Sequence, residues 1–237
     1  MLKIFPDLES LSQAAAELFA EQAYLAVKTQ ENFYVALSGG TTPRRTYELL
    51  AQEPLRSSVP WPHCQVFWGD ERYVQAKDAR SNHLLARMAL LNQVPIPETG
   101  LHPIVCAQSP AQTAENYERQ LRRIFPALPS FDFVFLGVGS DGHIASLFPG
   151  TPASREQRRW VCATQKPGEP DLFRITLTLP VINNAKVIVF LVSGTDKAKL
   201  LRTVFATSEV PTFPVQFVQP IQGKVYWFLD QAAASQL

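Results

Sequence analysis

The chain reads as an α/β protein with a mostly parallel, doubly wound central sheet and helices on both faces. Three observations predict this class. Apolar runs of strand length recur, and one of them, Phe133–Leu136, has the unbroken apolar character of a strand covered on both faces. Segments of helical periodicity alternate with these runs in the strand–helix–strand order of a parallel sheet. Glycine-bearing or charged turns follow four of the strands, at the end where open parallel sheets bind their ligands.

Taken in order, Leu8, Leu11, Ala15, Leu18 and Leu25 recur at helical spacing, and Phe33–Leu37 follows as a strand ending in Ser38, Gly39 and Gly40. A helix opens at once, with Thr42 as N-cap, Pro43 at the first helical position, and Tyr47, Leu50 and Ala51 on its apolar face. Residues 65–68 form the next strand, 81–91 and 111–125 two helices, and Phe133–Leu136 a buried strand. Residues 174–179 alternate as a strand, 186–192 form another buried strand, 196–205 a helix, and 225–229 a last strand before a short terminal helix. Residues 1–237 contain no repeat, low-complexity tract or linker, so one domain is expected, with room for a small additional sheet.

Composition narrows the function. With 237 residues, 46% of them hydrophobic, the chain can bury a large core. A net charge of +1 removes any general electrostatic reason to bind nucleic acid or a membrane surface, leaving small charged substrates held by local patches. No apolar run approaches the roughly 18 residues of a membrane span, and Pro6, Asp7 and Glu9 stand where a signal peptide is apolar. A cytoplasmic protein is expected, with a monomer as the default. Cys64, Cys106 and Cys162 are odd in number and lack C-x-x-C spacing, so they read as reduced core residues without a disulfide framework or structural metal.

The four turns carry the unusual chemistry. Ser38, Gly39, Gly40 and Thr41 expose backbone N–H groups where a helix begins, an arrangement suited to phosphate. Gly69, Asp70, Glu71, Arg72 and Tyr73 cluster charges after an aromatic strand end; Arg72 can grip a phosphate or carboxylate with two parallel hydrogen bonds, and Asp70 can orient a hydroxyl or a basic side chain. Residues 137–143 present Asp141 and His143 on a glycine-rich turn at the end of a core strand, where the imidazole is free to meet substrate. Lys197 follows Ser193, Gly194, Thr195 and Asp196 in the first turn of a helix, where it opposes the helix dipole and is suited to an anion. Gly137, Gly139 and Gly142 also spell G-x-G-x-x-G, but a dinucleotide-binding turn opens a full helix and leads to a second strand. Pro149 and Gly150 stop any such helix, and the stretch with Pro152, Arg155, Arg158 and Arg159 is polar.

Over nearly its whole length the chain resembles the 6-phosphogluconolactonases, which share a fold with glucosamine-6-phosphate deaminase/isomerase. The segments that carry the resemblance are LSGGTTPRRTYELL from Leu37, FWGDERYV from Phe67, SNHLLAR from Ser81, FLGVGSDGHIASLFPG from Phe135, RITLTLPVINNAKVIVFLVSG from Arg174 and PIQGKVYWFLD from Pro220. Ile144 stands where many such lactonases have threonine. The resemblance implies hydrolysis of 6-phospho-D-glucono-1,5-lactone to 6-phospho-D-gluconate, the second step of the oxidative pentose phosphate pathway, with neither metal nor cofactor.

That chemistry needs a base for water, stabilisation of a tetrahedral oxyanion and a grip on a distant phosphate. A histidine, with an ordinary pKa near 6.5, suits the first task. The resemblance therefore makes His143 the expected base, with Asp141 or Asp70 fixing its tautomer, Arg72 the cation near the reacting centre or the substrate carboxyl, and Gly39, Gly40, Thr41, Arg174 and Lys197 the phosphate holders. The chain has no G-x-S-x-G and no H-E-x-x-H, and His63, His83 and His102 are scattered; His83 alone lies near the Arg72 turn. Two rivals share the fold. An aldose–ketose isomerase resembles GHIAFNEP after the histidine, whereas this chain reads GHIASLFP with no carboxylate between Asp141 and Glu156. A sugar-phosphate-sensing regulator carries an N-terminal helix-turn-helix, and only residues 1–32 precede the strand at Phe33.

Overall fold

The computed structural model describes residues 1–206 and 211–237. Its strands in chain order are β1 Leu2–Phe5, β2 Phe33–Leu37, β3 Cys64–Trp68, β4 Asp70–Arg72, β5 Leu101–His102, β6 Phe133–Leu136, β7 Val161–Lys166, β8 Glu169–Leu177, β9 Val187–Val192 and β10 Lys224–Asp230. The α-helices are α1 Leu8–Gln30, α2 Thr41–Leu50, α3 Leu55–Ser58, α4 Asn82–Ala86, α5 Pro110–Ile124, α6 Leu179–Asn183 and α7 Ala198–Phe205. Seven strands form a sheet in the order β1-β10-β9-β6-β2-β3-β5, every neighbouring pair parallel. The other three form an antiparallel sheet, β4-β8-β7. From β2 the chain steps outward through β3 to β5, and from β6 it steps the other way through β9 to β10. The order therefore reverses between β2 and β6, and the crevice outside their carboxyl ends is where such sheets bind ligands.

Alternation along the strands sends side chains to both faces. On one face Phe19 of α1 packs edge-on against Phe33 and Phe133 and stacks on Phe135. On the other, Phe125 at the end of α5 meets Tyr34, Phe67 and Phe131. Adjacent residues such as Phe33 and Tyr34 thus contact different helices, as a pleated strand requires. Two buried tyrosines secure the strand ends that lead to the crevice. The Tyr47 hydroxyl accepts from Ser38 N (3.0 Å) and donates to Ser38 O (2.7 Å), and the Tyr117 hydroxyl does the same at Trp68 (3.0 and 3.1 Å). Burial pushes both phenol pKa values up, so both keep the proton that they donate.

Several expectations are corrected. The charged cluster after Trp68 is not a loop: Gly69 donates to Leu37 O in the large sheet while its own carbonyl accepts from Leu177 N in the small one, so the chain passes directly from β3 into β4. The cap of α2 is Gly40, with φ 107°, and not Thr42; Pro43 is the third helical residue. The strand that includes 174–177 ends at Leu177, because Pro180 suits the first turn of α6. The polar stretch after Pro149 does lead to a strand, β7, but an antiparallel one in the small sheet, which is still no dinucleotide-binding unit. Helix 81–91 is α-helical only to Ala86 and continues as a π-helical turn over Arg87–Leu91. The segment after β10 is a run of turns rather than a helix. Among the described residues no helix is long and apolar enough to cross a membrane.

Candidate active site

A cavity of about 310 Å³ opens over the carboxyl ends of β9, β6, β2 and β3, four neighbours in the sheet. Nine of the ten residues expected at a site line it: Ser38, Gly39, Gly40, Thr41, Asp70, Arg72, His143, Arg174 and Lys197. The tenth, Asp141, is not among the lining residues but bonds to His143, which is. Parallel pairing brings the turns after β2, β6 and β9 to the same edge, and the antiparallel sheet that leaves β3 supplies Asp70, Arg72 and Arg174.

His143 Nδ1 lies 2.5 Å from Asp141 Oδ1, which also accepts from the His143 backbone N–H at 3.2 Å. A carboxylate there fixes the Nδ1–H tautomer and leaves the Nε2 lone pair for the cavity. Burial raises the Asp141 pKa, but the charge of the imidazole and the hydrogen bonds from its ring and backbone outweigh burial and hold the carboxyl below its ordinary value. The imidazole also packs against Phe148, the two ring centroids 4.7 Å apart in a tilted arrangement. Gly139 lets the ring fold back over the turn: a Cβ there would stand 2.0 Å from Nδ1 and 2.6 Å from Asp141 Oδ1.

The antiparallel register of the small sheet places Arg72 on β4 directly opposite Arg174 on β8. Arg72 spends one N–H on Arg80 O (2.6 Å), and Arg174 spends one on the half-buried Glu169 (3.2 Å). The Nε atom of each is buried without a partner among the described residues. Like charges facing each other across a ladder repel, and a bound anion would relieve that repulsion. Across the cavity Gly40 caps α2 without a side-chain hydrogen bond, leaving the first N–H groups of a ten-residue helix open to an anion. Lys197 sits in a 3₁₀ turn before α7, with its ammonium 3.0 Å from Asp196.

Asp70 does not reach His143. Its Oδ2 accepts from Ser146 Oγ (2.6 Å) and its Oδ1 from Asn82 Nδ2 (3.1 Å), so of the two carboxylates expected to fix the tautomer only Asp141 touches the ring. Asn82, Asp196 and Ala145 also line the cavity and were not singled out from sequence; Ala145 has φ 48°, a left-handed conformation that costs a non-glycine residue energy and is found at functional sites. Glu71 is another omission. Its buried carboxylate accepts from the backbone N–H groups of Arg72, Asn82 and His83 and from Ser81 Oγ, pinning the start of α4. Burial drives its pKa up against those hydrogen bonds. The only signal available was its place among three consecutive charges. His83 packs edge-on to Trp68, outside the cavity lining, and His102 stacks on Phe67. Cys64 and Cys162 are buried, whereas Cys106 is exposed and so is not the core residue expected; all three are free, and among the described residues no group of three or more His, Cys, Asp or Glu is placed to hold a metal.

The family model described as glucosamine-6-phosphate isomerases/6-phosphogluconolactonase matches residues 6–227. A 6-phosphogluconolactonase of Synechocystis sp. is 45% identical over 86% of this chain and 84% of its own, and one of Nostoc sp. is 40% identical over 100% and 98%. The solved structure of 6-phosphogluconolactonase from Trypanosoma cruzi superposes with a TM-score of 0.88 at 31% identity, covering 100% of this chain and 96% of that one.

Proposed function

The chain belongs to the glucosamine-6-phosphate isomerase/6-phosphogluconolactonase family, and on that premise we propose that it hydrolyses 6-phospho-D-glucono-1,5-lactone to 6-phospho-D-gluconate. The observation that carries this reading is a histidine with one nitrogen committed to a carboxylate, in the same cavity as two opposed guanidinium groups. His143 Nε2 takes a proton from water as the oxygen attacks the lactone carbonyl. The tetrahedral oxyanion then collapses, the bond from the carbonyl carbon to the ring oxygen breaks, and the proton on Nε2 passes to that oxygen as it leaves as a hydroxyl. Asp141 keeps the tautomer and stabilises the imidazolium between these steps. Arg72 faces the developing negative charge, and Arg174, Lys197 and the Ser38, Gly39, Gly40, Thr41 turn hold the phosphate.

No step calls on a metal or cofactor. Of the carboxylates lining the cavity, Asp70 is held by Ser146 and Asn82 and Asp196 by Lys197, which disfavours proton transfer between sugar carbons by an isomerase. We take residues 1–237 as one domain acting as a cytoplasmic monomer on a small phosphorylated lactone, without a nucleic-acid or membrane partner. The test is hydrolysis of freshly made lactone near pH 7 with EDTA present and the spontaneous rate subtracted. The parent should exceed background clearly, and His143→Ala should lose about 10²- to 10⁴-fold in kcat. A folded parent that only isomerises or deaminates a phosphorylated amino sugar, or does neither, would sink the proposal.

A further inference from the structure

We propose that Asn82 is a positioning residue that locks the phosphate-facing glycine turn to the cavity floor. This rests on the cavity function proposed above. Asn82 is the first residue of α4 and is 2% exposed. Its Nδ2 donates to Asp70 O (2.9 Å) and Asp70 Oδ1 (3.1 Å); both are acceptors, so chemistry fixes the direction of the amide. Oδ1 must then face the other way. It is buried without a hydrogen-bond partner among the described residues and lies against Gly39, where an added Cβ would be 1.8 Å from it. The Gly39 Cα–H therefore points at this oxygen, a weak polar contact that only glycine permits.

The anchorage runs deeper on both sides. Glu71 holds the Asn82 and His83 N–H groups at 2.7 Å each, so the start of α4 cannot slide. Asp70 in turn is held by Ser146, three residues beyond His143. One buried path thus joins the glycine turn after β2, strand β4 and the segment that carries the histidine. Removing Asn82 should free the glycine turn without touching any reacting group.

Asn82→Asp keeps the shape and suits a helix start, yet sets a carboxylate oxygen against Asp70; Asn82→Ala removes both contacts. In each, KM for the lactone at pH 7 should rise by about tenfold or more, and amide exchange at Ser38, whose N–H is bonded to the Tyr47 hydroxyl, should speed up by about tenfold or more, while α1 exchanges as in the parent. Parental KM and parental exchange in Asn82→Asp would overturn the proposal, since the side chain would then only fill space. Faster exchange throughout together with a lowered Tm would overturn it as well, marking a general structural role. A parent without lactone turnover would instead defeat the cavity function, and exchange alone would decide the role of Asn82.

Discussion

At the scale of single residues, the behaviour of His143 depends on Asp141. The carboxyl is held below its ordinary pKa although burial opposes this, so it is ionised throughout the neutral range. Asp141→Asn keeps the size but offers an amide that can present either end to Nδ1, releasing the tautomer. We expect kcat to fall by about tenfold to a thousandfold with KM little changed, measured by steady-state kinetics. A KM effect alone would mean that Asp141 serves binding. The same group sets a sign for stability. A depressed carboxyl pKa stabilises above the unfolded value near 3.9 and loses that contribution as pH falls through the folded value. The Tm gap between parent and Asp141→Asn should thus be present at about pH 5 and close as the pH falls below that unfolded value; it will be small, because the side chain is 40% exposed.

At the scale of elements, the turn after β6 works because of where glycine stands. Gly137, Gly139 and Gly142 look interchangeable in sequence, yet a Cβ at Gly137 meets nothing within 4 Å, whereas one at Gly139 would strike the imidazole. Gly142 has φ 78°, and a Cβ there would come within 2.6 Å of Phe213. Gly139→Ala should therefore cost about tenfold or more in kcat with modest loss of stability, while Gly137→Ala stays near the parent in both. Equal kinetics for the two would show that the ring tolerates displacement. The passage of the chain at Gly69 from one sheet to the other is the second device of this scale, since it carries Arg72 into register with Arg174.

At the scale of the whole molecule, the cavity stands on a sheet whose centre is apolar throughout. β9 is buried along its full length, and Phe190 stacks on Trp227 of β10 at 4.1 Å. Phe190→Ala leaves the cavity lining intact but empties this layer, which costs about 3–5 kcal/mol. For a chain of this size that lowers Tm by roughly 6–20 °C, read by calorimetry, with kcat near the parental value at 20 °C or below. A large fall in kcat in the still-folded variant would show that the sheet strains the site rather than merely supporting it.

The sequence alone determined the α/β class, three of the four turns and nine residues that line the cavity, because glycine, histidine and charge at the ends of apolar runs are local signals. It missed β1, β5 and β7, which are short, edge-placed or polar, and it took β4 for a loop, because three consecutive charges look solvated until β8 pairs with them. Asn82 and Ser146 escaped for the same reason: an amide and a hydroxyl carry no signal until Asp70 and Gly39 arrive from other elements. That Asp70 turns to Ser146 and Asn82 rather than to His143, and that Arg72 faces Arg174, were decided only by tertiary structure, since strand order and cross-strand register depend on long-range pairing that no local pattern encodes.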